Sequence, residues 1–314
     1  MNPFTGLYGA GTTLRNALFD HGVLAARRLQ KAVVSVGNLS VGGSGKTPFV
    51  IALGELLKDR NIPFDVLSRG YGRKTRGVRI VEADGTADQF GDEPLLIARR
   101  LDVPVLVGES RYHAGCIAEE KFHSQLHILD DGFQHRSLYR NFDIVLVAER
   151  DFKDRLLPLG RLRETLSSLA RADAVVLPQE LAEDHPAFEG KIIWKAEREL
   201  VFPKVPPSPV AFCGVARPDQ FFAQLRAAGV SPAAEVVFRD HHAYDRNDIQ
   251  TLVHKRRDLG AGGFVTTEKD AVNLAGNRRY LEPLAVAGLK LIISDPANLV
   301  NTILTRIEEQ RPHS

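Results

Sequence analysis

Short runs of β-branched and apolar residues alternate with longer stretches of helical spacing along most of this chain. "AVVSVGN" reads as a buried strand, and "TPFVIALGELLKDR", opened by Thr47 and Pro48, as the helix that follows it. Further strands are predicted at "FDVLSRG", "VPVLVG", "LHILDD", "FDIVLVAE" and "ADAVVLP", with helices at 92–101 and 111–123 between them. Strands alternating with helices imply a P-loop NTPase-type, mainly parallel sheet covered by helices on both faces. "KIIWKAEREL" alternates like one more strand and runs into prolines at 203, 206, 207 and 209, a stiff linker. Beyond it "VAFCGVA", "AEVVFRD", "GFVTTEKD" and "LKLIIS" read as strands around helices at 218–228 and 245–258, a second and smaller α/β lobe. The predicted division is an N-terminal segment 1–31, a P-loop domain 32–190, a linker 191–209 and a C-terminal α/β domain 210–314.

The N-terminal segment has its own pattern. Leu7, Tyr8, Gly11, Leu14 and Leu18 form a helical stripe with Phe4 and Phe19 beside it, and Arg15, Arg27, Arg28 and Lys31 outnumber the single Asp20. Such a segment can pack on the protein's own core, or lie on an anionic membrane surface with its basic groups at headgroup level.

Composition narrows the function classes. A length of 314 residues favours two domains, and 44% hydrophobic with 25% charged residues is ordinary for a folded protein with a sizeable core. A net charge of +2 without a long basic run argues against nucleic-acid binding. Cys116 and Cys213 are far apart, so neither a disulfide framework nor a cysteine metal pair is expected. No apolar run is long enough to span a bilayer and no signal peptide is evident, which points to a cytoplasmic setting.

The candidate chemistry begins at "GNLSVGGSGKTP". A strand, a glycine-rich turn and a helix in that order make a phosphate cradle from residues 40–47: Ser40, Val41, Gly42, Gly43, Ser44, Gly45, Lys46 and Thr47. Ser40 stands where the pattern has its first glycine, while Gly42, Gly43 and Gly45 leave the backbone free to turn its N–H groups toward an anion. Lys46 would reach the β and γ phosphates and Thr47 would ligate magnesium. In "LDDGFQH", Asp130 and Asp131 end a strand where a P-loop protein keeps its metal-binding carboxylate, with Gln134 and His135 directly after. Asp92 and Glu93 open a helix, either complementing its dipole or, at Asp92, accepting a hydroxyl proton. "FRDHHAY" puts Asp240, His241 and His242 at a strand end in the second lobe, where α/β sites form. Arg111, Arg161 and Arg163 can clamp phosphate through a planar fork.

Taken together, "GNLSVGGSGKTP", "SRGYGRK", "GDEP", "LDDGFQHR", "LLPLGRLRE", "FRDHHAY" and "TTEKDAV" resemble the tetraacyldisaccharide 4'-kinases of lipid A biosynthesis, in order, over residues 37 to 272. The resemblance makes the Ser40 loop the family's normal form. It implies ATP-dependent phosphorylation of the 4'-hydroxyl of a tetraacylated glucosamine disaccharide 1-phosphate, giving lipid IVA, with ATP and Mg2+ as cofactors. By resemblance Asp92 activates the sugar hydroxyl with His241 as its partner, His242 being adjacent, and Lys46 and Arg163 act with them. Thr47, Asp130, Asp131 and Glu164 are implied for the metal, with either aspartate as its contact, and Glu93, Arg111, Gln134 and His135 for the substrate. An acylated substrate also favours segment 4–31 as a peripheral contact with the cytoplasmic face of the inner membrane, and no obligate protein partner is implied. The rival is a P-loop switch or delivery ATPase of the partitioning or metallochaperone type, whose loops typically carry an early lysine where this chain has Ser40 and Val41.

Overall fold

The computed structural model describes residues 3–43 and 45–310, with side chains from Tyr8 onward. Phe4, Leu7 and the loop residue Ser44, all singled out above, lie outside that description as side chains. Helix α1 (Pro3–Asp20) precedes the strand and helix that flank the glycine-rich turn, β1 (Ala32–Asn38) and α2 (Lys46–Asp59). There follow β2 (Phe64–Ser68), a short β3 (Arg79–Ile80), a one-turn α3 (Ala87–Phe90), α4 (Asp92–Leu101) and β4 (Val105–Val107). Next come α5 (Arg111–Lys121), β5 (Leu126–Asp130), β6 (Phe142–Leu146), β7 (Ala174–Pro178) and β8 (Ile192–Val201). The rest comprises β9 (Val210–Cys213), α6 (Pro218–Ala227), β10 (Ala234–Val237), α7 (Arg246–Asp258), β11 (Phe264–Thr267), α8 (Glu268–Leu274), β12 (Leu284–Ile293) and α9 (Pro296–Glu309).

The strands form one twelve-stranded sheet in the order β10-β9-β11-β12-β8-β7-β6-β1-β5-β2-β4-β3. All neighbours are parallel except β12 with β8 and β3 with β4. The central strands β1, β5 and β6 are buried along their length, as continuous apolar runs in a sheet covered on both faces require. The α/β class expected from the strand–helix alternation is therefore the observed one.

Two details depart from the predicted division. The segment 191–209 is not a free linker: β8 pairs with β7 through Ile192–Ala196, then turns to pair with β12 through Ala196–Val201. Its proline end is tied to the second lobe, where Gly262 N donates to Pro207 O at 3.0 Å. The chain also does not end in the second lobe. β12 returns along β8, and α9 buries Leu299, Val300, Ile303 and Ile307 in the same core as Val34, Phe49 and Leu53 of the P-loop lobe. Residues 210–314 thus divide between two cores, because the apolar stripe of α9 matches a face left open beside α2 and β6. The smaller lobe keeps its own clusters around Phe212, Phe264 and Leu252, and around Cys213, Phe222 and Val265. Among the described residues no helix is long and apolar enough to cross a membrane.

Candidate active site

The glycine-rich turn follows β1 at the C-terminal edge of the sheet, where parallel α/β sheets form their clefts. Ser40 is paired rather than turned. Ser40 bridges Leu162 in antiparallel fashion, and Val41 N donates to Arg161 O at 2.8 Å. The left-handed backbone falls on Gly42, Gly43 and Gly45, at φ 78°, 57° and 93°. A glycine is therefore not required at position 40, where the backbone needs no positive φ. Lys46 opens α2 and its Nζ donates to Asn38 Oδ1 at 3.0 Å and lies 3.3 Å from Asp131 Oδ1. Thr47 is buried beside it.

The aspartate pair at the end of β5 is split between two environments. Asp131, at φ 52°, accepts from Arg163 through both carboxylate oxygens at 2.8 Å. Burial works against its charge, but Lys46 and Arg163 outweigh that and hold the carboxyl below its usual range. Asp130 is fully buried and accepts from Ser68 Oγ at 2.9 Å; among the described residues its Oδ1 has no partner. Burial, then the nearby charges of Glu93 and Asp131, push it up to about 7. An ionised carboxylate with an empty oxygen in such a place calls for a cation.

Arg163 reaches Asp131 because its backbone N donates to Leu39 O at 2.7 Å, fastening "GRLRE" along the phosphate loop. Glu164, the next residue, is directed elsewhere. Its Oε2 accepts from Asn16 Nδ2 at 2.7 Å and Arg171 at 2.8 Å, so it ties down α1 and does not join Asp130 and Asp131. Among the described residues no group of three or more His, Cys, Asp or Glu side chains could hold a metal ion, which leaves Thr47 and the aspartate pair. Gln134 donates to Asn38 O at 2.9 Å and also approaches Arg163. Arg111 is buried behind the pair, lowered to about 10 by burial and by Arg69, and so remains cationic. His135 is depressed to about 4 by burial and four arginines, Arg111 foremost, and is neutral.

Asp92 comes from the other side. Gly91 occupies the cap position of α4, so the Asp92 carboxylate is not spent on capping. Its Oδ1 accepts from Glu93 N at 2.9 Å, and its Oδ2 lies 2.8 Å from His241 Nδ1. His242, by contrast, stacks on Phe238 and pairs with Asp248 at 2.8 Å, so of the two adjacent histidines it is His241 that meets Asp92. Burial opposes the charge of Asp92, yet the His241 bond and the Lys269 ammonium hold it below the normal carboxylate range. The Asp92 bond in turn raises the His241 ring, against burial and Lys269.

Two cavities meet here. The larger, about 450 Å³, runs from the phosphate loop and Lys46 to an apolar wall of Leu200, Val215 and Phe221 in the second lobe. The smaller, about 370 Å³, holds Asp92, Asp130 and Gln134 and is bounded by Tyr8, Thr12 and Arg15 of α1. Val41, Tyr71, Glu93, Asp131 and Arg163 line both. Arg111 and His135 stand outside both linings.

Several contributors carry no clear sequence signal. Arg150, Arg198 and Arg217 gather round the phosphate loop; Arg150 donates to Gly42 O and Arg198 to Gly43 O at 3.3 Å. Burial and the other arginines lower Arg217 to about 10. Lys269 belonged to the quoted motif "TTEKDAV" but had no assigned role there.

A family model described as tetraacyldisaccharide-1-P 4'-kinase matches residues 1–308. The tetraacyldisaccharide 4'-kinase of Koribacter versatilis is 46% identical over 99% of this chain and 100% of its own length. That of Aquifex aeolicus is 41% identical over 87% of this chain and 89% of its own. Among solved structures, LpxK from Aquifex aeolicus in complex with ATP superposes with a TM-score of 0.79 at 36% identity, covering 97% of each chain.

Proposed function

The chain belongs to the tetraacyldisaccharide-1-P 4'-kinase family and is an ATP-dependent kinase of lipid A biosynthesis; we propose that the larger cavity takes ATP, the smaller the sugar end of the acylated disaccharide 1-phosphate, and that Asp92 draws the proton from the 4'-hydroxyl. One observation carries this division of labour. Lys46 lines the larger cavity and Asp92 the smaller, and the two cavities share Glu93, Asp131 and Arg163, which is where a γ-phosphorus and an attacking oxygen must meet.

Asp92 is ionised at neutral pH and oriented by His241, so it is ready to accept a proton as the new P–O bond forms. Lys46 and Arg163, both held on Asp131, supply positive charge for the equatorial phosphoryl oxygens. Thr47 and Asp130, with Asp131 beside them, suit Mg2+, which when bound would offset charge on the phosphates; the unpartnered Oδ1 of Asp130 is the best-placed oxygen for it. Glu93 and Gln134 are left to orient the sugar, with Arg111 contributing charge from behind.

Helix α1 closes the smaller cavity with one face and turns another outward. Tyr8 Oη donates to Arg163 O at 3.3 Å and Arg15 to Gln134 O at 2.7 Å. Leu14 is 63% exposed and, just beyond the helix, Val23 is 69% exposed. This supports peripheral docking of α1 on the cytoplasmic face of the inner membrane, with the acyl chains left in the bilayer and the sugar reaching the site. Incubating the protein with γ-labelled ATP and the acylated disaccharide 1-phosphate in detergent tests the assignment: label belongs on the lipid product. Label released only as inorganic phosphate would favour a switch or delivery ATPase instead.

A further inference from the structure

Lys269 lies in the first turn of α8, and its side chain is only 20% exposed. Its Nζ is 3.1 Å from His241 Nε2, 3.7 Å from Asp92 Oδ2, 3.5 Å from Glu93 Oε1 and 3.5 Å from Asp240 Oδ1. Thr267 caps α8 by accepting from Asp270 N at 3.2 Å, which fixes the turn that carries the lysine. Burial opposes the charge of Lys269, but Glu93, Asp92 and Asp240 prevail and raise it above its ordinary value. It is therefore a permanent ammonium.

An ammonium has donors and no acceptor. Nε2 of His241 must then accept from it, so the single ring proton sits on Nδ1 and is donated to Asp92. Geometry alone thereby selects one tautomer. A second ring proton would sit on Nε2, directly against a positive charge 3.1 Å away. The other groups facing the ring do not replace this control. Tyr71 approaches the ring at 5.6 Å between centroids, Glu268 is engaged by Arg100 at 2.6 Å, and Asp270 is turned toward Gly214 and Tyr244. Asp240 Oδ2 lies 3.9 Å from the same Nε2 and favours protonation of the ring, and Glu93 and Asp240 share the ammonium that opposes it.

We propose that Lys269 is a positioning residue for the phosphoryl transfer: it holds the neutral His241 ring in its Nδ1-protonated tautomer, opposes a second ring proton, and keeps Asp92 free to take the hydroxyl proton. This rests on the reading of Asp92 as the base. Lys269 lies in the second lobe and Asp92 in the first, so the lock is complete only when the two lobes are apposed as they are here.

The test is the pH profile of kcat for Lys269→Met with saturating Mg-ATP and detergent-solubilised acylated disaccharide 1-phosphate. Without the ammonium both Asp92 and His241 bind protons more readily. The acid limb should move up by about one pH unit or more, the size expected for a charge removed from within about 4–6 Å. Well below the parent's limb that is a deficit of about tenfold or more, narrowing as pH rises. Lys269→Arg keeps the charge and should keep the limb in place, which covers a Met variant that fails to fold. At a pH above the acid limb, nitrogen NMR of the His241 ring should show the Nδ1-protonated tautomer in the parent protein. A deficit equal at every pH, a displaced limb in Lys269→Arg, or an Nε2-protonated ring would overturn the proposal. Asp92→Asn is run alongside. If it is inactive while the Lys269→Met limb is unshifted, this proposal alone fails; if it turns over like the parent, the base reading fails as well.

Discussion

His241 Nδ1 and Asp92 Oδ2 stand 2.8 Å apart although 149 residues separate them. One is carried by the second lobe, the other by the first turn of a helix in the P-loop lobe, so the pair exists only where the lobes meet. Around it Lys269, Glu93 and Asp240 add charges of both signs, and Arg100 pairs with Glu268 between α4 and α8. The site depends on that interface as much as on the phosphate loop.

The phosphate loop and the aspartate loop are in backbone contact. A Cβ on Gly37 would come within 2.5 Å of Phe133 Cβ and 2.8 Å of Phe133 N. Gly37→Ala must therefore push "DDGFQH" away from β1. We expect a loss of about 1–3 kcal/mol in urea unfolding, the usual cost of overpacking, together with a raised KM for ATP. A variant of unchanged stability would show that the two loops are not locked together.

His127 is a second buried ion cluster, at the opposite end of the sheet. It bonds Asp65 at 2.8 Å on the neighbouring strand and approaches Glu119 at 3.4 Å. Burial disfavours its charge, but the two carboxylates raise it above the ordinary value of 6.5. A raised histidine contributes stability that is fully present below the unfolded pKa and is lost as pH rises through the folded pKa. The urea midpoint of the parent protein should fall as pH is taken from 6.5 into the alkaline range, and His127→Gln should lack that component of the fall. Parallel pH dependences in the two proteins would contradict the assignment.

Helix α1 presents Leu14 to solvent. Leu14→Glu combined with Val23→Glu should reduce co-sedimentation with anionic vesicles and raise KM for the acylated acceptor, leaving thermal stability and ATP binding unchanged. Undiminished vesicle binding would remove this face from the membrane contact.

The C-terminal helix belongs to the P-loop core. Ile303 is buried against it, so Ile303→Ala should cost about 2–5 kcal/mol and lower ATP affinity with it. A stability loss confined to the second lobe, followed by hydrogen exchange, would contradict that placement.

The phosphate loop was legible because it makes local demands: a strand, glycines where φ is positive, then a helix. The strand–helix alternation was equally legible, being short continuous apolar runs separated by stretches of helical spacing. The Asp92–His241 pair could be named only through resemblance, since nothing local links residues in different lobes. Lys269 was visible as a motif letter without a role, because its role arises from four groups on two other segments. Glu164 illustrates the opposite failure: its neighbour Arg163 serves the site, but the glutamate turns away to Asn16 of α1 and to Arg171. The stripe on α9 marks a helix with one buried face, and cannot say which of two cores receives it.

The central claim is that Asp92 takes the hydroxyl proton across the lobe interface. Its most direct test is single-turnover phosphoryl transfer by Asp92→Ala with bound Mg-ATP and saturating acceptor. The expected rate is lower by about 10²–10⁴-fold, the usual worth of a general base, with ATP affinity unchanged. Transfer at the parent rate would exclude Asp92 from the chemistry.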